Sequence, residues 1–290
     1  MLFGVAYGES PVWKNPAWKY FQTGMAYGIQ GKFLKARESF TQSLNITPSY
    51  KPAKSGIKVI NDVLGNRISK QAAIHYFRAR GNFYVKIVIH KALIKETSDM
   101  LRSNPNDVNA YLLRAKLYFQ QRLYRQAIQN YTKVIVISPK IDGAYTNRGI
   151  AYAKTGQHEL AIKDYNESIR INPKNTNAYF NLGISFIKLR KFKQASRCFS
   201  EVIKINPKYR SAYLNRALIH VMYGRNKEAI TDYTSMIAIN PKNAKAYYGR
   251  GYVYSVKLGD KLKGCADFKK ACELGMCKNY IILKSQGGCH

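Results

Sequence analysis

Proline fixes the layout of this chain before any other residue type does. Pro105, Pro139, Pro173, Pro207 and Pro241 stand at a constant step of 34 residues, although the 290-residue sequence holds only nine prolines. Other columns keep the same step: Tyr111, Tyr145, Tyr179, Tyr213 and Tyr247 share one position, Ala127, Ala161, Ala195 and Ala229 another, and Tyr131, Tyr165, Phe199 and Tyr233 a third. A fixed period of about 20 to 50 residues marks stacked supersecondary units. Such a chain grows by adding units, each touching only its neighbours, rather than by enclosing one globular core.

One unit runs from Thr176 to Tyr209. Its Tyr179, Leu182, Phe186 and Leu189 fall at three- and four-residue steps, and so do Ala195, Phe199, Val202 and Ile203. Both sets describe amphipathic helices. A short polar turn separates them, carrying Gly156 or Gly224 in sister units, and Asn-Pro ends the second helix because the residue before proline resists the helical conformation. Small residues occupy the expected helix crossings: Ala115, Gly149, Gly183 and Ala217 on first helices face the alanine column on the second. This order of aromatic, Gly or Ala, aromatic, Ala, aromatic and Pro is similar to that of the tetratricopeptide repeat family, from Ala17 to about Leu274 apart from one insert. The resemblance implies an all-α fold, a right-handed α-solenoid of about seven helix-turn-helix repeats. It also implies a concave groove lined by the first helices and a protein-binding, non-catalytic role.

The period predicts the domain layout. Residues 1–16 form an N-terminal leader segment, 17–50 a first repeat, 51–73 an inserted helix opened by Pro52, and 74–107 a degenerate repeat with Leu93 and Thr97 where alanine and an aromatic belong. Five regular repeats fill 108–276, the last with one extra residue before Cys265, and 277–290 supply a capping helix and tail. Met1 to Gly8 are mostly apolar but lack a basic leader and are too short for a signal peptide. No run of 18 apolar residues predicts a membrane span.

Charge is the outlying property: 48 Lys and Arg against 16 Asp and Glu give a net +32. That field favours acidic partners, whether acidic protein, anionic surface or nucleic acid. Part of the charge belongs to a column, Arg80, Arg114, Arg148, Arg216 and Arg250. Its counterpart about sixteen residues on reads Glu96, Asn130, Asp164, Asp232 and, after the insertion, Asp267. The unit with Leu182 in place of arginine has Cys198 in place of the acid. Arginine and acid that come and go together predict structural ion pairs, Arg80–Glu96, Arg148–Asp164, Arg216–Asp232 and Arg250–Asp267, since a planar guanidinium suits a bidentate carboxylate.

A second column, Asn147, Asn181 and Asn215, precedes the arginines by one step. The family resemblance puts this position in the groove, where an amide offers donor and acceptor to a polypeptide backbone. By the same resemblance Phe180, Ile184, Leu214, Leu218, Tyr248 and Tyr252 make the groove apolar, and Lys116, Lys154 and Lys188 add a basic stripe. Arg190, Lys191, Lys193 and Arg197 mark a basic outer face. The pattern predicts a peptide or helix in the groove and an acidic partner outside, with nucleic acid or another polyanion as the alternative.

No catalytic constellation, cofactor or metal site is expected. His75, His90, His158 and His220 are scattered, and the closing Gly-Gly-Cys-His is half of a haem-attachment pattern with Gln286 where its first cysteine would stand. Cys265 and Cys272, seven apart on one helix, are too distant to bridge each other. A bond from Cys272 to Cys277 or Cys289 would fasten the cap, with free buried thiols as the other reading.

Overall fold

The computed structural model describes residues 16–65, 67, 69–285 and 289, without the side chains of Pro16, 80–92 and 278–279. Of the predicted leader segment 1–16, residues 1–15 lie outside them. Among the described residues there is no strand, and no helix is long and apolar enough to cross a membrane. The chain is an all-α solenoid of helix hairpins and divides into two compact units, 1–96 and 97–290.

In the first unit α1 (Pro16–Ile29) and α2 (Phe33–Ile46) form a hairpin, and α3 (Lys51–Leu64) packs on α2. Pro52 sits in the first turn of α3, where its missing N–H costs nothing. The core is aromatic: Phe21, Phe40 and Phe77 are buried, and the rings of Phe40 and Phe77 stack at 6.0 Å. Room for Phe40 comes from Gly56, where a Cβ would stand 2.5 Å from the ring.

Helix α4 runs without a break from Lys70 to Ser103, where the sequence reading places a degenerate hairpin over 74–107. The difference has a physical reason. The turn residues Arg122, Gly156, Arg190 and Gly224 all take a left-handed backbone, with φ of 62°, 81°, 57° and 69°. The residue at that register in the degenerate unit is Val88, and a β-branched side chain clashes with its own backbone there.

The second unit stacks five hairpins, α5 (Val108–Gln120) with α6 (Tyr124–Ile137), α7 (Asp142–Lys154) with α8 (His158–Ile171), α9 (Thr176–Lys188) with α10 (Phe192–Ile205), α11 (Arg210–Met222) with α12 (Asn226–Ile239), and α13 (Ala244–Tyr252) with α14 (Lys261–Glu273). Helix α15 (Lys278–Ser285) then packs on α14. The alanine column is completely buried, and the ring column Tyr131, Tyr165, Phe199 and Tyr233 nearly so. Each such ring stabilises its hairpin by about 2–3 kcal/mol, and burial pushes the Tyr131 and Tyr233 phenols up to about 12. Gly183 lets helices cross closely, since a Cβ there would stand 2.8 Å from Phe199.

Second helices α8, α10 and α12 end alike. Asn172, Asn206 and Asn240 take extended backbones before their prolines, and their side chains accept the backbone N–H of Lys174, Lys208 and Lys242 at 3.1 Å. Local hydrogen bonding of this kind is why Asn favours turns.

The extra residue of the last repeat is absorbed within the helix. Val253–Lys257 is a π-helical turn continuing α13, closed by the Leu258 N–H on the Val253 carbonyl at 3.1 Å. Its bulge presses on α14: a Cβ at Gly264 would lie 2.5 Å from the Ser255 Cβ and 3.0 Å from its backbone. This is the register at which the other second helices carry alanine, so the glycine compensates for the bulge.

The end of the chain is cross-linked by disulfides Cys265–Cys289 and Cys272–Cys277. The sequence reading reaches the Cys272–Cys277 pair as one of its alternatives, but not Cys265–Cys289. Cys198 is a free, buried thiol, and burial pushes its pKa up to about 12.

Candidate functional site

The arginine column forms a repeated clamp. Arg148 donates from Nε and Nη2 to both carboxylate oxygens of Asp164 at 2.8 and 2.7 Å, Arg216 to Asp232 at 3.0 and 2.6 Å, and Arg250 to Asp267 at 2.8 and 2.8 Å. Arg114 reaches Asn130 Oδ1 with Nε at 2.8 Å. The acids are almost wholly buried while the arginines keep about a fifth of their side chains open, 17% for Arg148 and 21% for Arg216. A buried carboxylate needs such a partner, because isolated it would lose its hydration with nothing in exchange. Arg80 lies outside the described side chains, and Glu96 is exposed.

Two further contacts of this clamp escape the sequence reading. The Nη1 of each arginine turns back to a hydroxyl sixteen residues upstream: Arg114 to Ser98, Arg148 to Thr132, Arg216 to Ser200 and Arg250 to Thr234, at 2.9 to 3.1 Å. Each guanidinium also stands 5.5 to 5.9 Å from the ring three residues before it, Tyr111, Tyr145, Tyr213 or Tyr247. Such a contact adds about 0.5–2 kcal/mol. Arg148, Arg216 and Arg250 thus tie the second helix of one hairpin to both helices of the next, and Arg114 ties α4 to the first of these hairpins. The hydroxyl column was readable: it holds Asn166 in the hairpin before the one where Leu182 and Cys198 replace the ion pair. These arginines are therefore occupied with structure.

The asparagines stand at one register on α7, α9 and α11, with Asn147 exposed and Asn181 and Asn215 half-buried. Asn181 donates one amide N–H to the Asn177 carbonyl at 2.8 Å, and Asn215 to that of Ser211 at 2.7 Å. Among the described residues no other hydrogen bond engages either side chain, which leaves each an amide oxygen and a second N–H. The column ends at Gly249, whose missing Cβ leaves room for the Tyr233 ring.

Around this register, Phe180 packs on Phe199 and Tyr209 with centroids 5.7 and 5.0 Å away, Tyr248 meets Phe268 edge-on, and Ile184 and Leu214 lie against buried clusters. Phe180, Ile184, Leu214, Tyr248 and Tyr252 are half-buried, while Leu218 is 49% exposed. Lys116, Lys154 and Lys188 are exposed near the ends of their first helices, and Arg190, Lys191, Lys193 and Arg197 are exposed along the α9–α10 turn and α10. Among the described residues no group of His, Cys, Asp and Glu could hold a metal ion.

Family models for the tetratricopeptide repeat match residues 20–50, 108–141, 143–175, 176–209 and 244–274, and one for the TPR repeat matches 223–255, together more than half of the chain. The chain belongs to the tetratricopeptide repeat family. Its hairpins are those of a protein-interaction scaffold. Solved tetratricopeptide repeat structures resemble it. The crystal structure of MamA is 24% identical with a TM-score of 0.54, over 58% of this chain and 91% of that one. MamA 41-end from Desulfovibrio magneticus RS-1 is 17% identical with a TM-score of 0.53, over 58% and 94%. YrrB, described as a TPR protein with an unusual peptide-binding site, is 19% identical with a TM-score of 0.56, over 66% and 97%. No curated protein sequence matches the chain.

Proposed function

We propose that the protein is a non-catalytic scaffold that takes a polypeptide segment along the first helices of its second unit and assembles a complex by docking an acidic partner on its basic face. The observation that carries this reading is the asparagine register. Three consecutive first helices present an amide with spare hydrogen-bonding capacity, beside half-buried apolar side chains that a ligand would finish burying. Amides can grip a backbone whatever its sequence, and the apolar neighbours supply anchors. The clamp supports the second half of the proposal. Asp164, Asp232 and Asp267 are consumed inside the repeats, so fewer of the 16 acids offset surface lysines.

The test is a binding measurement with the triple variant Asn147→Ala, Asn181→Ala, Asn215→Ala against partners captured by the parent protein. Loss of capture with unchanged helicity supports the groove. Capture that survives the triple variant but falls by about 0.9 log unit per neutralised phosphate per log unit of salt identifies a nucleic-acid binder instead.

A further inference from the structure

A recess of about 200 Å³ opens between α10 and α11, lined by Lys193, Ser196, Arg197, His220, Tyr223 and Arg225 among others. We propose that it binds a doubly charged oxyanion of the phosphate-monoester class. The proposal sharpens the reading of Arg190, Lys191, Lys193 and Arg197 as a face for an anionic partner, and it rests on that reading.

Three cations border one small basin, two from α10 and one from the turn before α12, with no carboxylate in the lining. Lys193, Arg197 and Arg225 are exposed and form no ion pair among the described residues. Two carboxylates of α12 act on His220, Glu228 and Asp232, and Asp232 is already held by Arg216. Two hydroxyls, Ser196 and Tyr223, add neutral donors. Three like charges around one basin repel each other, and a ligand carrying two charges on three oxygens relieves that repulsion better than a carboxylate does. Guanidinium groups also match phosphate geometry, and lysine serves as a point charge.

The experiment is calorimetric titration of the full chain with inorganic phosphate, O-phosphoserine and acetate at constant ionic strength. Inorganic phosphate should bind saturably, and acetate about tenfold more weakly or worse. Lys193→Gln with Arg225→Gln should weaken phosphate about tenfold. Lys140→Gln with Lys174→Gln, which removes the same charge from exposed sites elsewhere, should leave binding unchanged. Tighter binding of phosphoserine than of phosphate points to a phosphorylated side chain of a partner, and equal binding to a free ion. Non-saturable binding, equal affinity for acetate, or the same loss in both double variants overturns the proposal. Phosphate binding that persists while no acidic partner is captured refutes the face and leaves the recess standing.

Discussion

The unit that lacks the clamp supplies the design for testing it. Leu182 and Cys198 occupy the arginine and acid positions of one hairpin and are buried there at 5% and 8% exposure, so the fold already contains an apolar version of the pair. Arg216→Leu alone strands Asp232, which is 2% exposed, and removing one partner of a buried pair costs about 3–5 kcal/mol. The guanidinium is partly open to water, which puts the expectation near 3 kcal/mol. For a unit the size of 97–290, that lowers the melting temperature by about 6–12 °C. Asp232→Cys should cost less, about 1–2 kcal/mol, because Arg216 can turn towards solvent. The double variant Arg216→Leu/Asp232→Cys should return to within about 1 kcal/mol of the parent, as exchanges of buried ion pairs for apolar groups often do. Thermal melts of all four proteins, followed by far-UV circular dichroism at several salt concentrations, decide it. If the double variant falls by the sum of the single losses, the two side chains do not act as one unit and the reasoning fails.

Three further outcomes follow from the packing. Gly264→Ala should destabilise the last hairpin by about 1–3 kcal/mol through overpacking against the π turn; deleting Val256, which restores the 34-residue step, should make the same substitution neutral or stabilising in thermal melts. Without reductant, the native protein should show no fast-reacting thiol to a maleimide at neutral pH, one after unfolding, and all five cysteines only after reduction; mass spectrometry finding several labels on the native protein would contradict the two disulfides. Burial holds the His220 imidazole below its ordinary value of 6.5, outweighing the Asp232 carboxylate 3.8 Å away. The unfolded chain therefore takes up a proton first, and stability is lost as pH falls through about 6.5. His220→Gln should flatten that part of the urea-denaturation profile, and an unchanged slope would show that His220 does not set it.

The regular hairpins were legible because each rests on local rules that repeat: apolar residues at helical spacing, Asn-Pro at helix ends, small residues at crossings. The Arg148–Asp164 contact has a trace in sequence because Leu182 and Cys198 supply an internal comparison. Its hydroxyl partner Thr132 carries the same trace in Asn166, but lies in the preceding hairpin, where intra-repeat reasoning does not look. The π turn at Val253–Lys257 shows only as an extra residue, since whether a helix bulges or a loop lengthens depends on what the neighbour can accept, here Gly264. Val88 forbids a left-handed turn, a restriction that a period search does not register. The pairing of Cys265 with Cys289 depends on how the chain end folds back, which no spacing encodes.

The proposed polypeptide site on the first helices of the second unit can be probed in place. A photo-crosslinking residue placed at Asn181, and separately at Lys163 on the opposite helix of a hairpin, measures it most directly in the native source at low and high salt. Position 181 should give protein adducts that persist at high salt, with the attached segment identified by mass spectrometry as an extended or helical stretch bearing apolar residues. Adducts from position 163 alone, or adducts to nucleic acid from either position, would contradict it.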